Sequence, residues 1–173
     1  MITLFNSCNS DQPMDISYVE GAWELTSISS DHRIVADYTG KTLYSEEPSH
    51  YTNDNKENVW LFYQGHISEW AWSASDKFWD GYACDCVRNY ETQTDGNDRY
   101  ILESGYSIIP LDSNEERRVS HTLYKIEKLT KSEMILKHDN KIYISDIDST
   151  ITDHITQTFK RENTLLKFIE KLK

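Results

Sequence analysis

Eight aromatic residues fall within one short span: Trp60, Phe62, Tyr63, Trp70, Trp72, Phe78, Trp79 and Tyr82. Small-molecule sites are concave and mostly apolar, so this concentration suits a pocket lined by aromatics. Trp and Tyr also dominate protein interfaces, so an exposed partner face is a second use. A third is plain core packed beneath a long loop. The candidate ligand-binding residues are Trp60, Phe62, Trp70 and Trp72, joined by Tyr100 and Tyr124 further along.

Little else in the chain has the spacing that catalysis or metal binding needs. There is no Gly-rich phosphate loop, His-Glu-x-x-His, Gly-x-Ser-x-Gly or Cys-x-x-Cys. His32, His50, His66, His121, His138 and His154 are scattered, and only His121 and His154 could meet across a sheet. Asp85 between Cys84 and Cys86 offers Cys and Asp ligands, but no His stands at ligand spacing. Asp146, Asp148 and Asp153 surround a turn without an EF-hand arrangement, which reads as a solvated loop. The expectation is a protein that is not an enzyme and holds no metal or cofactor.

The elements that must position the aromatics are strands. Short runs alternate apolar and polar residues with period two, and polar turns separate them. Gly21–Ser29 is the first, with Trp23 and Leu25 on one face and Glu24 and Thr26 on the other. Residues 31–58 lose the alternation and read as a long excursion with a short strand near Arg33–Tyr38. Val59–Gln64 is apolar on both faces and should be covered on both sides. Gly65 marks a turn or bulge, Ile67–Ala74 pairs back, and 76–82 is ambiguous. Cys84–Glu91 and Arg99–Ile109 flank a hairpin turn at Thr94-Asp95-Gly96-Asn97-Asp98, with Gly105 expected as a bulge and 110–116 as a loop. Val119–Leu129, Glu133–His138 and Lys141–Ile147 form a meander, the last two joined by a two-residue loop at Asp139-Asn140. Thr152–Arg161 is the last strand. Asn163 is a candidate N-cap for a terminal helix, whose Leu165, Phe168, Ile169 and Leu172 recur at three and four.

Composition bounds the class. The chain has 173 residues, enough for one domain with a sizeable core. Its mean hydropathy is -0.69 and no run of 18 apolar residues occurs, so no helix is expected to span a membrane. A net charge of -11 repels phosphate backbones and argues against nucleic-acid binding, while it suits a basic protein partner. Ser7-Cys8 before a polar stretch, Asn9-Ser10-Asp11-Gln12-Pro13, resembles the end of a bacterial lipoprotein signal followed by its tether. That resemblance implies a lipid on Cys8 and a place at the outer membrane or in the periplasm. The departures are a missing basic region and a short apolar stretch. Residues 1–18 then read as leader remnant and flexible tether, and 19–173 as the folded domain.

Three passages carry a wider resemblance. Gly21-Ala22-Trp23 opens the first strand. Leu123 to Leu136 reads as strand, Leu129-Thr130-Lys131-Ser132-Glu133, apolar strand. Thr158-Phe159-Lys160-Arg161 closes the last. In this order they resemble a bacterial lipocalin-like lipoprotein domain of the calycin superfamily, a kind common in Bacteroidota, over residues 20–162. The resemblance implies an all-β, antiparallel, up-and-down barrel with a short C-terminal helix. Trp23 and Arg161 would stack where the sheet closes, a contact of about 0.5–2 kcal/mol. A clear Thr-Asp-Tyr motif is missing.

The function expected is non-catalytic binding of a small apolar or amphipathic ligand by a monomer outside the cytoplasm. The alternative is an acidic inhibitor or immunity factor that neutralises a basic toxin or protease. An open barrel interior would favour the first, and a filled one with an exposed aromatic face the second.

Overall fold

The first and last strands of the chain pair with each other, and this closes the sheet. The computed structural model describes residues 14–36, 42–45, 47–53, 56–81, 86–111, 114–144 and 148–172. The strands are β1 Gly21–Ser30, β2 Arg33–Ala36, β3 Thr42–Ser45, β4 Ser49–Thr52, β5 Val59–Tyr63 and β6 His66–Ser73. They continue as β7 Phe78–Gly81, β8 Cys86–Asp95, β9 Asp98–Leu111, β10 Asn114–Leu129, β11 Glu133–Ile144 and β12 Ser149–Arg161. Helix α1, Thr164–Leu172, follows. Strands β1, β5, β6, β8, β9, β10, β11 and β12 each pair with the next, and β12 returns to β1 with Trp23 opposite Arg161 and Leu25 opposite Phe159. The fold is an antiparallel up-and-down barrel of eight strands, lipocalin-like, with one short C-terminal helix. Closure pairs Trp23–Ser30 of the first strand with Ile155–Arg161 of the last, so neither presents a free edge along that seam.

Two barrel walls are interrupted strands. β4 continues β5 along the same edge of β1, and β7 continues β8 along the same edge of β6. The excursion at 31–58 therefore holds β4 and a separate β2–β3 hairpin, more order than its sequence suggests. Gln64 (φ 50) and Gly65 (φ 80) form the two-residue loop between β5 and β6. Positive φ at both positions is the type I′ geometry that matches strand twist.

Several boundaries differ from the sequence reading. β11 runs straight through Asp139-Asn140, which pair with His154 and Asp153 on β12. Continuous ladder bonds outweigh the turn preference of two residues. The reversal comes between Ile144 and Ser149. Residues 110–111 and 114–116, expected within a loop, are strand: Pro110 pairs with Glu115 near the end of β9. A missing N–H costs least there. Gly105 pairs in register with both Ser120 and Arg88, and the bulges fall instead in β1 between Leu25 and Ser27 and in β10 between Ile126 and Lys128. Residues 14–18, expected to belong to a flexible tether, are part of the folded body. Ile16–Val19 form a 3-10 turn capped by Asp15, with Val19 buried and Met14, Ile16 and Tyr18 packed on the core.

The strand alternation builds two cores. Trp23, Leu25, Trp60, Phe62, Ile67, Tyr90, Ile101, Tyr124, Met134, Leu136 and Phe159 point into the barrel. Ala22, Val59, Leu61 and Trp79 point outward and are buried with Leu165 of α1. Both faces of β5 are covered, as its sequence requires. Beyond Lys125 and Lys137, β10 and β11 stop pairing, so the wall splays between the β9–β10 and β11–β12 hairpins.

Candidate functional site

Gly21, Trp23 and Arg161 form one unit at the closed end of the barrel. The Arg161 guanidinium lies over the Trp23 ring, 4.1 Å from its centroid. It donates to the carbonyls of Glu20 at 2.6 Å and Tyr18 at 3.0 Å, so it ties the 3-10 turn to the last strand. Trp23 Nε1 donates to the Val19 carbonyl at 2.8 Å. Gly21 has φ +125, and a Cβ there would collide with Arg161 Nη1. The glycine two residues before the tryptophan is thus a steric requirement of the arginine. Burial lowers the Arg161 pKa from its ordinary value, but guanidinium remains charged. This unit is a plug.

Trp60, Phe62 and Tyr124 lie in the barrel interior and pack into one core. Trp60 packs 5.2 Å from Phe159, 6.2 Å from Phe62 and 6.3 Å from Tyr124, centroid to centroid. Phe62 meets Tyr90 edge-on at 5.2 Å. Above them lies a charged cluster the sequence reading missed. Arg88 donates to both oxygens of Glu103, at 2.6 and 3.0 Å, and also pairs with Glu69. Its guanidinium stands 4.3 Å from the Trp60 centroid. Burial works to lower the Arg88 pKa, but Glu103 and Glu69 outweigh it and the net shift is upward. The Tyr124 hydroxyl donates to Glu103 at 3.0 Å. Burial first, and Glu103 second, push that phenol well above its ordinary range. Burial and Glu20 push Tyr90 up to about 12. Both phenols stay neutral donors at physiological pH. No sequence pattern marks Arg88 and Glu103, since they sit 15 residues apart on paired strands. Trp60 Nε1, His138 Nδ1 and Gln157 Oε1 are buried without a hydrogen-bond partner among the described residues.

Trp70 and Trp72 are on the other side of the wall. They alternate with inward Ile67 on β6, so they face outward beneath α1. Trp70 Nε1 donates to Ser68 at 2.9 Å, and the Trp70 ring packs on Gly81, where a Cβ would stand 3.3 Å from it. Trp72 stacks on Trp79 at 5.4 Å, and Phe78 meets Phe168 of α1 edge-on at 5.2 Å. Helix α1 is tethered by Glu162, whose carboxylate accepts from the Thr164 N–H at 2.6 Å and pairs with Lys56 at 2.8 Å. Glu162 caps the first turn from the position before Asn163. Burial would raise its pKa, but Lys56 and Thr164 hold it below the ordinary carboxylate range. Between the β6–β7 hairpin and α1 a cleft of about 520 Å³ remains open. Trp72, Trp79 and Phe168 form its floor, and Lys56, Lys77, Lys167 and Lys171 its rim.

Tyr100 belongs to neither place. It faces outward from β9 onto a depression of about 710 Å³ at the β10–β11 splay, with Leu123, Lys125 and Lys137. That depression is larger than the cleft but has no aromatic floor. The six candidate aromatics therefore separate into a barrel core, the outer face beneath α1 and one half-buried tyrosine elsewhere, and none of the described pockets unites them. His121 bonds Ser104 and His154 bonds Asp139, so the two histidines do not meet. Asp153 is buried at the barrel mouth, accepting from Ser30 Oγ at 2.7 Å, and is not a solvated turn residue. Among the described residues no three His, Cys, Asp or Glu side chains converge as metal ligands. Cys8, Tyr82, Cys84, Asp85 and Asp146, and the side chain of Cys86, lie outside the described residues.

No family model, curated protein or solved structure matches the chain.

Proposed function

We propose that this chain is a non-catalytic binding protein that takes a small amphipathic molecule in the cleft between the β6–β7 hairpin and α1, outside the barrel. The observation that carries the reading is the aromatic floor of this open cleft, half-buried Trp72 and Phe168 with the buried Trp79 beneath them. Trp60, Phe62 and Tyr124 pack on one another inside the barrel and are buried, so these three offer little open apolar surface. A cleft of about 520 Å³ falls in the size range that encloses a small ligand. The competing reading, an acidic inhibitor of a basic toxin or protease, draws on the net charge of -11. Its expected aromatic face, however, is rimmed by lysines, which would repel a basic partner.

The test uses N-phenyl-1-naphthylamine, a neutral aromatic probe whose emission rises in apolar sites. It should bind the folded protein, and Trp72→Ala should weaken that binding at least several-fold. Phe62→Leu, a core substitution inside the barrel, should leave it unchanged. Binding that ignores Trp72→Ala and responds to Phe62→Leu would return the ligand to the barrel and sink the reading. The proposal extends to membership of the lipocalin-like lipoprotein family and to a lipid on Cys8. If Cys8 carries the anchor, Cys8→Ser should move the protein from the membrane fraction to the soluble one.

A further inference from the structure

The charge around the cleft runs against the charge of the chain. Acidic residues outnumber basic ones, 29 to 18, yet all the ionisable residues that line this cleft are lysines. Lys56 is committed to Glu162 at 2.8 Å. Lys77, Lys167 and Lys171 are exposed, and none has an acidic partner among the described residues. They reach the cleft from two walls. Lys77 (φ 53) sits in the turn between β6 and β7, and Lys167 and Lys171 are one helical turn apart on α1. Beneath them the floor is Trp72, Trp79 and Phe168. Apolar floor and cationic rim lie within one site, so a ligand that fits must carry an apolar body and a negative end.

We propose, resting on the cleft reading above, that the ligand is a free organic anion: one carboxylate, sulfonate or phosphate on an aromatic or alkyl body. The body lies on Trp72, Trp79 and Phe168, and the anionic group stands at the rim. There the three ammonium groups can donate to its oxygens. Charge complementarity identifies the polar end, and the aromatic floor identifies the rest. An anionic lipid surface shares the same chemistry, but the rim lysines stand on two walls, Lys77 on the hairpin and Lys167 and Lys171 on α1, and the open space of about 520 Å³ between them matches one small molecule. A free amphiphile is therefore the occupant to which the geometry points.

A matched pair of probes tests this. 1-Anilinonaphthalene-8-sulfonate and N-phenyl-1-naphthylamine share an aromatic body and differ by the sulfonate. At low ionic strength the sulfonated probe should bind about tenfold more tightly, the sum of modest contributions from three exposed cations. The triple variant Lys77→Gln, Lys167→Gln, Lys171→Gln should lose that preference and keep its affinity for the neutral probe. These lysines are exposed, so the variant should keep the circular dichroism spectrum of the parent; Lys167→Gln alone should lose part of the preference. Equal binding of the two probes by the parent overturns the anion, while the cleft reading stands. A preference that survives the triple substitution also overturns it. Binding of neither probe overturns the cleft reading itself. Sedimentation with phosphatidylglycerol vesicles but not phosphatidylcholine vesicles, without preference between the soluble probes, overturns the free amphiphile in favour of a membrane surface.

Discussion

At the scale of single residues, Gly21, Trp23 and Arg161 show how one contact constrains its neighbours. Trp23 is fully buried, hydrogen-bonded through its indole and covered by a guanidinium. Trp23→Ala should cost about 3–5 kcal/mol, since the plug leaves a large cavity that its rigid surroundings fill poorly. Gly21→Ala should cost about 1–3 kcal/mol through strain at φ +125, and more where the new Cβ displaces Arg161. Chemical denaturation measures both. A loss below about 1 kcal/mol for Trp23→Ala would mean that the plug does not hold the closed end. This unit was legible in the sequence because its parts are signatures of type and place: a glycine, a tryptophan and a terminal arginine. Arg88 and Glu103 were not legible. Their roles come from register between β8 and β9, and nothing in the local pattern distinguishes them from surface charges.

At the scale of elements, alternation identified most barrel strands and even the two-sided burial of β5. It could not say which neighbour covers each face. Trp60 and Phe62 alternate with Val59 and Leu61, and Trp70 pairs with Val59 across the hairpin. That one register puts Trp70 and Trp72 on the outer face, away from Trp60. Proximity in sequence suggested one pocket, and period two divides it. The Asp139-Asn140 turn failed for a related reason: local propensity is worth little against a ladder that pairs β11 with β12 without a break from Glu133 to Ile144. The helix over the outer face carries its own test. Leu165 is fully buried between α1 and the β1–β5 surface. Leu165→Ala should destabilise by about 2–5 kcal/mol. Because Trp79 shares that cluster, the loosened helix should also shift tryptophan emission to the red. A stability loss with no emission change would mean that α1 does not shield Trp79.

At the scale of the whole molecule, two groups tie stability to pH in the same direction. Burial holds the His138 pKa below its ordinary 6.5. The unfolded chain therefore takes up this proton first as pH falls below about 6.5, and stability drops until the folded histidine also titrates. Glu162, held low by Lys56 and Thr164, contributes stability above its ordinary 4.5 that is lost as pH falls through its depressed folded value. Acidification also relieves the repulsion of a chain at -11, so the raw profile mixes opposing effects. A comparison isolates the histidine: between pH 7.5 and 5.5, His138→Phe should lose less thermal stability than the parent. A parallel pair of profiles would mean that His138 titrates normally in the fold.

The plug also imposes an order in time. Arg161 and the Tyr18 carbonyl it holds are 143 residues apart. Synthesis at about 5–20 residues per second puts roughly 7–30 seconds between the appearance of the two. Throughout that interval β1 emerges with its β12 edge unpaired, and Trp23 has no guanidinium above it. Each newly made chain must therefore keep this edge from pairing with a neighbouring chain until its own last strand is released. The seam that closes the finished barrel is an open edge for as long as the chain is on the ribosome.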